Sequence, residues 1–264
     1  MGSNRRQFLR IAGITTLLGL GGGITLSASS YKPQTEPAQK NEKHLRAGRW
    51  GMVIDMRKFP KDPEERQRVF DRIIEACHST NNVPEGEAKP IQEIKWIWKD
   101  HFEHVFPGKE NPFLAKRVEQ SEFLLLCNQC KNPPCVRVCP TQATYKREDG
   151  IVQMDFHRCI GCRYCMAGCP FGSRSFNFCD PGPYVKDKNP DFPVRMRGVV
   201  EKCLFCYQRL EEGKQPACVE ASNGGLIFGD LDDPNSQIRE VLRENYTIRR
   251  KVDLGTEPSV FYIV

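Results

Sequence analysis

The sequence predicts an α+β fold in which short strands and helices alternate with long loops that carry cysteines. The first observation is an amphipathic helical pattern that follows Asp62. The second is a set of short apolar runs bounded by turn residues, which is typical of strands. The third is the stretch from Cys127 to Cys169, where two cysteine runs stand on either side of a predicted hairpin. A chain of 264 residues is long enough for one large domain or two small ones.

The N-terminus has the features of an export signal. Arg5 and Arg6 precede an apolar, glycine-rich segment over residues 11–26 and the small residues Ser27, Ala28 and Ser29. This order predicts the twin-arginine route and a location on the periplasmic, outer face of the cytoplasmic membrane. The alternative is a chance arginine pair before a membrane-spanning helix, although the glycines and hydroxyl residues weaken the segment as a span. Cleavage of the signal and its retention as an anchor both stay open.

A polar linker and then a strand and a helix are predicted next. Residues 30–48 contain several prolines and lysines, which favour a linker. The folded body is predicted to start with a strand over Trp50–Met56. In the following helix Asp62 is the predicted N-cap and Pro63 takes the first helical position. This helix carries Cys77 on its inward face, where a cysteine alone is commonly a small buried hydrophobe.

The middle of the chain is predicted to hold short strands. Alternation over Ile91–Trp98 predicts one strand. Further on, Ala143–Lys146 and Ile151–Met154 flank the turn pair Asp149-Gly150, which predicts a β-hairpin. The proline-rich segment Pro181–Pro193 is expected to cross the surface or to enter a partner.

The last part of the chain is predicted to add a strand, a helix and an apolar end. The strand covers Leu226–Phe228, and Asp233-Pro234 is expected to cap a helix that carries Ile238. The apolar end Val260–Val264 is expected to dock on the body or on a partner. The predicted divisions are a signal at 1–29, a linker at 30–48, a cysteine-bearing double domain at 49–230, and a C-terminal helix and docking tail at 231–264.

The 13 cysteines are concentrated in one part of the chain, with Cys77 alone and the others between Cys127 and Cys218. The second central run has the C-x2-C-x2-C-x3-C-P spacing of bacterial ferredoxins and consists of Cys159, Cys162, Cys165 and Cys169. The first run has a wider second gap and consists of Cys127, Cys130, Cys135 and Cys139. Each run offers three thiolates to one [4Fe–4S] cube and a fourth to its neighbour. The predicted architecture is therefore a tandem of bacterial-ferredoxin-like βαβ half-units with loop-rich insertions around iron–sulfur clusters.

Two other uses of the thiols compete with clusters. Disulfides suit an exported protein, but the odd count, the C-x-x-C pairs and the proline after each central run favour metal. Zinc favours two C-x-x-C pairs separated by a knuckle, and neither central run is built in that way. A structural or binding protein stapled by zinc or disulfides remains the alternative from another functional class.

The cysteine pattern over residues 49–230 resembles the periplasmic ferredoxin-type subunits of membrane oxidoreductases, the polysulfide reductase and dimethyl sulfoxide reductase electron-transfer family. Subunits of this family have four cysteine groups, paired first with fourth and second with third. The resemblance implies one cluster on Cys127, Cys130, Cys135 and Cys169. It implies a second cluster on Cys159, Cys162, Cys165 and Cys139.

The outer pair of groups departs from the family pattern. No cysteine follows Asp55 until Cys77, and Ser222 stands where the fourth group should end in cysteine. In the crossed scheme of this family, each group gives three ligands to one cluster and one ligand to its partner's cluster, so both losses fall on the same cluster. The surviving set for a third [4Fe–4S] cluster is Cys203, Cys206, Cys218 and Cys77. Cys179 is left over, and the alternative is a three-cysteine remnant that holds a damaged cluster or nothing.

Charge and motifs exclude several functions. The formal charge of +6 falls to about +3 without residues 1–29, because they hold Arg5, Arg6 and Arg10 and no acidic side chain. The sequence lacks the basic tract interleaved with aromatic residues that nucleic-acid binding would require. It also shows no recognisable set of catalytic residues, so we predict a non-catalytic subunit. Basic residues beside the cysteines would raise the cluster potentials if they packed nearby, but a solvated, partner-facing surface is the favoured prediction for each: Lys131, Arg137, Arg158, Arg163 and Lys202.

The resemblance also implies partners. Within the family the chain looks most like the relay subunit of a membrane complex of sulfur and sulfate metabolism. That implies an integral membrane, quinone-interacting subunit on one side, a periplasmic multihaem cytochrome c on the other, and membrane association through these partners. The close alternative is the relay subunit of a periplasmic molybdopterin reductase.

Overall fold

A computed structural model describes residues 44–85 and 93–264. The twin-arginine signal, most of the predicted linker and the first residues of the Ile91–Trp98 strand lie outside the described residues. Within the described ranges, no helix combines the length and the apolar character needed to cross a membrane.

The α+β class is confirmed, with mostly short elements around one three-stranded sheet. The strands are β1 (Trp50–Asp55), β2 (Ile97–His101), β3 (Glu122–Leu126), β4 (Thr144–Lys146), β5 (Val152–Met154), β6 (Ser175–Phe176), β7 (Val200–Glu201), β8 (Leu226–Asp230) and β9 (Val260–Ile263). The helices are α1 (Pro63–Thr80), α2 (Phe102–Val105), α3 (Lys116–Glu119), α4 (Pro134–Arg137), α5 (Tyr164–Ala167), α6 (Tyr207–Glu211), α7 (Ala217–Ala221) and α8 (Gln237–Glu244). Short 3₁₀ turns cover Met56–Lys58, Gly182–Tyr184 and Val252–Leu254.

The main sheet has the order β8-β1-β9, with β1 antiparallel to β8 and parallel to β9. Successive side chains of β1 point to opposite faces, as the period of a strand requires. Met52 and Ile54 therefore join the large core, whereas Val53 packs with Ile238 of α8 in a smaller cluster. Of the two expectations for the apolar C-terminal end, docking on the body is the one observed, because β9 is an integral strand of this sheet.

The helix after Asp62 is confirmed in detail. The Asp62 carboxylate accepts a hydrogen bond from the Glu65 backbone N–H at 2.9 Å, and Pro63 is the first helical residue. Phe70, Ile73 and Cys77 are its buried residues, so the amphipathic spacing predicted its inward face correctly. The helix packs against α7 and thereby brings Cys77 toward the last cysteine group.

Two predicted boundaries are wrong. The second strand begins at Ile97 rather than Ile91 and runs on to His101, because its pairing with β3 matches Ile97 to Leu126 and His101 to Glu122. The last helix begins at Gln237 with Ser236 at its N-cap position, not at Asp233, whose carbonyl instead accepts from the Ser236 backbone N–H at 3.2 Å in a preceding turn. The predicted hairpin is confirmed as β4 paired with β5.

The proline-rich connector crosses the body rather than leaving it. The Asn82 side chain accepts from the Asn189 backbone N–H at 2.7 Å and donates to the carbonyl of Phe192. Phe192 is buried against Trp96, with ring centroids 6.1 Å apart. The connector therefore closes over the C-terminal end of α1.

Candidate metal centres

The first cysteine group lines a small cavity. Cys127 directly follows β3, and the loop turns back at Gln129, whose φ of 43° lies in the left-handed region. Cys135 is held on α4. The cavity wall combines Cys127, Cys130, Cys135 and Cys169 with Asn128, Pro133, Pro134, Val152, Pro170, Phe171, Ser173 and Arg174. These are the four cysteines that the crossed scheme assigns to one cluster.

The second cysteine group also lines a small cavity. Its loop requires glycine at Gly161, because φ is +68° and an added Cβ would lie 2.4 Å from the Gly198 carbonyl oxygen. Arg163, with φ of 61°, turns the chain into α5. The lining cysteines are Cys139, Cys159, Cys162 and Cys165, again the set of the crossed scheme.

The third group is formed by tertiary packing. Cys77 comes from α1 and Cys218 from α7, while Cys203 and Cys206 come from the loop after β7. All four are buried. The Asn81 amide Nδ2 lies 3.8 Å from Cys77 Sγ and 3.6 Å from Cys206 Sγ, and hydrogen-bonds both sulfurs. The structure thus brings Cys77 to the last cysteine group, while ligation of a third cluster stays a prediction.

Ser222, at the position where the family pattern has a cysteine, serves the backbone here. Its hydroxyl donates to the Val219 carbonyl at 2.7 Å and accepts from the Leu226 N–H at 3.0 Å. The side chain is buried and ties the end of α7 to the start of β8. Cys179 is half-buried and belongs to neither of the two cysteine-lined cavities.

Burial and mutual repulsion disfavour the thiolate form of several of these cysteines in the absence of metal. Burial, followed by the neighbouring Cys206, Cys218 and Cys203 sulfurs, raises the pKa of Cys77 well above its ordinary value. Burial also raises the pKa of Cys130 and of Cys203 to about 12. A cysteine binds metal as a thiolate, so metal ions bound within each group would supply the positive charge that stabilises these thiolates.

Cys139 differs from Cys77, Cys130 and Cys203 in the direction of its pKa shift. Burial opposes ionisation of its thiol, but hydrogen bonds from Thr144, Thr141 and Ala143 outweigh it and lower the pKa of Cys139. The Thr144 N–H lies 3.4 Å from the sulfur. N–H groups directed at sulfur also stabilise cluster thiolates, which is one way in which a protein sets a cluster's potential.

The cysteines other than Cys179 are grouped in sets of four. All 13 cysteines lie in the described ranges and none is in a disulfide. Among the described residues, no three His, Cys, Asp or Glu side chains converge closely enough to hold one metal ion. Two cavities with four cysteines each, and a third buried set of four, offer the four thiolates that one [4Fe–4S] cube takes.

Buried cations lie near the cysteine groups, among them Lys202, Arg174 and Arg250, the last of which lies over the ring of Phe171 beside the first group. Lys202 is fully buried, so its predicted place on a solvated surface is wrong. Lys131, Arg137, Arg158 and Arg163 are exposed, as predicted. Arg174 is also buried and was missed by sequence reasoning. The signal was present, because Arg174 is the first charged residue after the Cys169-Pro170 end of the second run.

A buried ion pair holds the backbone next to the third cysteine group. The Arg195 guanidinium bonds the Glu201 carboxylate at 2.8 Å, and both side chains are almost fully buried. Arg195 also donates to the carbonyls of Asn81 at 2.5 Å and Asn82 at 2.7 Å. Since Asn81 faces the Cys77 and Cys206 sulfurs, the pair fixes the backbone that carries their hydrogen-bond donor.

Comparison with known proteins agrees with this arrangement. Residues 120–179 match the model of the 4Fe-4S dicluster domain. The chain is 40% identical to Hdr-like menaquinol oxidoreductase iron-sulfur subunit 1 of Archaeoglobus fulgidus, over 98% of this chain and 97% of that protein. It is 48% identical to a putative dimethyl sulfoxide reductase iron-sulfur subunit of Halobacterium salinarum, over 81% and 78%. It is 37% identical to the menaquinone reductase iron-sulfur cluster-binding subunit of Nitratidesulfovibrio vulgaris, over 81% and 88%.

The cysteine-lined cavities and the dicluster domain define an iron–sulfur protein. More narrowly, the chain belongs to the 4Fe-4S dicluster iron–sulfur subunits of the dimethyl sulfoxide and polysulfide reductase type. The predicted family is thereby confirmed, and with it [4Fe–4S] clusters rather than zinc or disulfides. Electron transfer is the role that this family implies.

Proposed function

We propose that this chain relays electrons through three [4Fe–4S] clusters between a quinone-interacting membrane subunit and a periplasmic multihaem cytochrome c. The observation that carries the proposal is the partition of twelve cysteines into three spatial sets of four. When bound, each cluster accepts and releases one electron. With four thiolates around it, a cluster has no open coordination position, which suits transfer rather than substrate chemistry.

The protein's own residues would hold and insulate the clusters. The first and third sets are mostly or wholly buried, so apolar walls exclude water and lower the local dielectric.

The first group lies between the other two. The Lys202 ammonium donates a hydrogen bond to the carbonyl of Val152 in the wall of the first cavity. It also donates to the Cys203 carbonyl of the third group at 2.8 Å. On the other side of the first group α4, which carries Cys135, packs against α5, which carries Cys165. The order of transfer is therefore second, first and third group, or the reverse.

Several features support a quinone-linked complex. Two similar proteins are named as subunits of a menaquinol oxidoreductase and a menaquinone reductase. The chain resembles DsrO, the periplasmic ferredoxin subunit of the Dsr membrane complex of sulfur and sulfate metabolism. The points of resemblance are the export signal, the lost cluster and the segment Arg195–Cys203 that leads into the last cysteine group. The basic and apolar C-terminal segment Arg249–Val264 is a further point of resemblance. Periplasmic location by the twin-arginine route belongs to the same proposal.

A second candidate is the relay subunit of a periplasmic molybdopterin reductase. It is favoured by relatives named for reductases, including a tetrathionate reductase subunit of Salmonella typhimurium, 33% identical over all of this chain and 89% of that protein. In this case the partner is a catalytic subunit rather than a cytochrome.

Co-purification from membranes separates the two candidates. The chain is tagged at its C-terminus, extracted in mild detergent without oxygen and analysed for haem c, molybdenum and accompanying proteins. We expect an integral membrane protein and a multihaem cytochrome without molybdenum. A molybdenum-containing partner without cytochrome would establish the second candidate, and recovery of the chain in the cytoplasm would contradict the proposed location.

A further inference from the structure

Arg174 lies between the first and second cysteine groups. Its side chain is buried and forms part of the wall of the first cavity. One guanidinium nitrogen donates to the Thr144 hydroxyl at 3.2 Å and lies 3.7 Å from the sulfur of Met154, which is in the wall of the second cavity. The guanidinium faces the thiols of Cys135 in the first group and Cys165 in the second.

Lys202 lies between the first and third groups. Its ammonium donates to the carbonyl of Val152, which lines the first cavity, and to that of Cys203 in the third group at 2.8 Å. Gln129 ties the same two segments together, since its amide donates to the Cys203 carbonyl at 2.9 Å and accepts from the Val152 N–H at 2.8 Å. The ammonium is therefore held in one position between two cysteine groups.

Neither cation forms an ion pair with a carboxylate in the part of the chain that the structure describes. A buried charge without a counter-charge is costly. The anionic groups that surround both positions are the cysteine sulfurs. The compensating negative charge must therefore come from the thiolates and the clusters that they hold.

We propose that Arg174 and Lys202 set the relative potentials of the clusters, with Arg174 acting on the first and second clusters and Lys202 on the first and third. This inference rests on the proposed function, because it requires three clusters. Reduction adds one negative charge, and a fixed cation in a water-poor site favours the reduced form. The first cluster, between two cations, then has the highest potential and holds an electron longest.

The test is a redox titration of the anaerobic, cluster-loaded protein followed by EPR. Each signal is assigned beforehand with one serine variant in each set, Cys130→Ser, Cys162→Ser or Cys218→Ser. Arg174→Gln removes one charge and keeps hydrogen-bonding capacity. We expect it to raise the oxidised-to-reduced ratio of the first and second clusters at least tenfold at fixed ambient potential, a drop of about 59 mV for one electron, and to leave the third cluster unchanged.

Lys202→Gln should give the complementary pattern. The first and third clusters shift by a similar factor, whereas the second does not. Lys131→Gln is the matched control, because it removes a charge beside Cys130 from a side chain that is 53% exposed and paired with Glu257. Water screens that charge, so we expect a change below twofold. Arg174→Lys keeps the charge and should stay within twofold of the native ratios.

Iron content and thermal unfolding of each variant are recorded alongside the potentials. Fully loaded Arg174→Gln and Lys202→Gln proteins with native potentials, or with equal shifts in all three clusters, would overturn the inference and leave the relay intact. If a glutamine variant does not take up its clusters, the potentials of the Arg174→Lys and Lys202→Met variants test the inference instead. A potential shift in Arg174→Lys as large as that of a charge deletion, or none in Lys202→Met, would overturn it. A native protein without a third cluster would instead overturn the proposed function.

Discussion

The second and third cysteine groups hold the same number of thiols in opposite surroundings. In the second group Cys162 is exposed, Cys139 and Cys159 are half-buried, and only Cys165 is buried. Beside it Ile160 and Tyr164 expose 67% and 64% of their surface. In the third group Cys77, Cys203, Cys206 and Cys218 are all buried. One set of four cysteines therefore lies near the surface, and the other lies in the packed interior.

The difference shows how the two groups depend on the fold. The second group draws three of its four cysteines from one short loop, whose shape is set by Gly161 and Arg163. The third group exists only if α1 packs against α7, because Cys77 stands far from Cys203 in the sequence. Local damage to the fold should therefore affect the third site much more than the second.

The largest effect is expected from Cys77→Ser. Loss of the ligand on α1 should remove or degrade the third cluster alone, so that iron falls from about twelve to about eight per chain, at four irons for each cube. Iron and acid-labile sulfide analysis measures the change, and EPR shows which signals remain. Cys179→Ser is the matched control and should keep the native iron content. Equal iron in Cys77→Ser and the native protein would show that Cys77 is not a ligand.

Chelation should distinguish the two groups by access of solvent. Under mild oxidation with a chelator, the cluster on Cys139, Cys159, Cys162 and Cys165 should be lost first, because solvent reaches Cys162 directly. The third cluster should be lost last. EPR spectra taken through the time course report the order, and simultaneous loss of all signals would contradict it.

The ion pair behind the third group gives the next effect. Glu201→Gln leaves the Arg195 guanidinium buried without its counter-charge, and this is expected to lower the free energy of unfolding by about 3–5 kcal/mol. Chemical denaturation of the loaded protein measures it. Glu212→Gln, in a solvent-exposed pair with Lys214 at 2.7 Å, is the control and should leave the free energy of unfolding close to the native value. Similar losses in both variants would contradict the account of the buried network.

The smallest effect is expected from the cap of α1. Asp62→Ala removes the hydrogen bond to the Glu65 N–H and should destabilise the protein by about 1 kcal/mol. Because α1 carries Cys77, loss of the third EPR signal during urea titration should begin at lower urea than in the native protein. The second cluster's signal should keep its native midpoint. Equal shifts of both signals would show that α1 does not support the third site selectively.

The sequence predicted those parts of the site that are encoded locally. The C-x-x-C spacings and the Asp149-Gly150 turn indicated the two central loops and the hairpin, because such loops impose their own geometry. Cys77 was assigned through a family resemblance, since its helical spacing alone indicates only a buried face. Whether Lys202 and Arg174 are buried depends on how distant segments pack, which is why the prediction for Lys202 was wrong and Arg174 was missed. The Ser236 cap was missed because Asp233-Pro234 offers an equally strong start signal.

The central claim is that a third complete set of ligands is assembled by the packing of α1 against α7. The most direct test is the iron and acid-labile sulfide content of the native protein, purified without oxygen after cluster loading in the cell and quantified against total amino-acid analysis. Three clusters predict about twelve irons per chain. A fully loaded preparation that holds about eight would contradict the claim, since the third set would then bind no cluster.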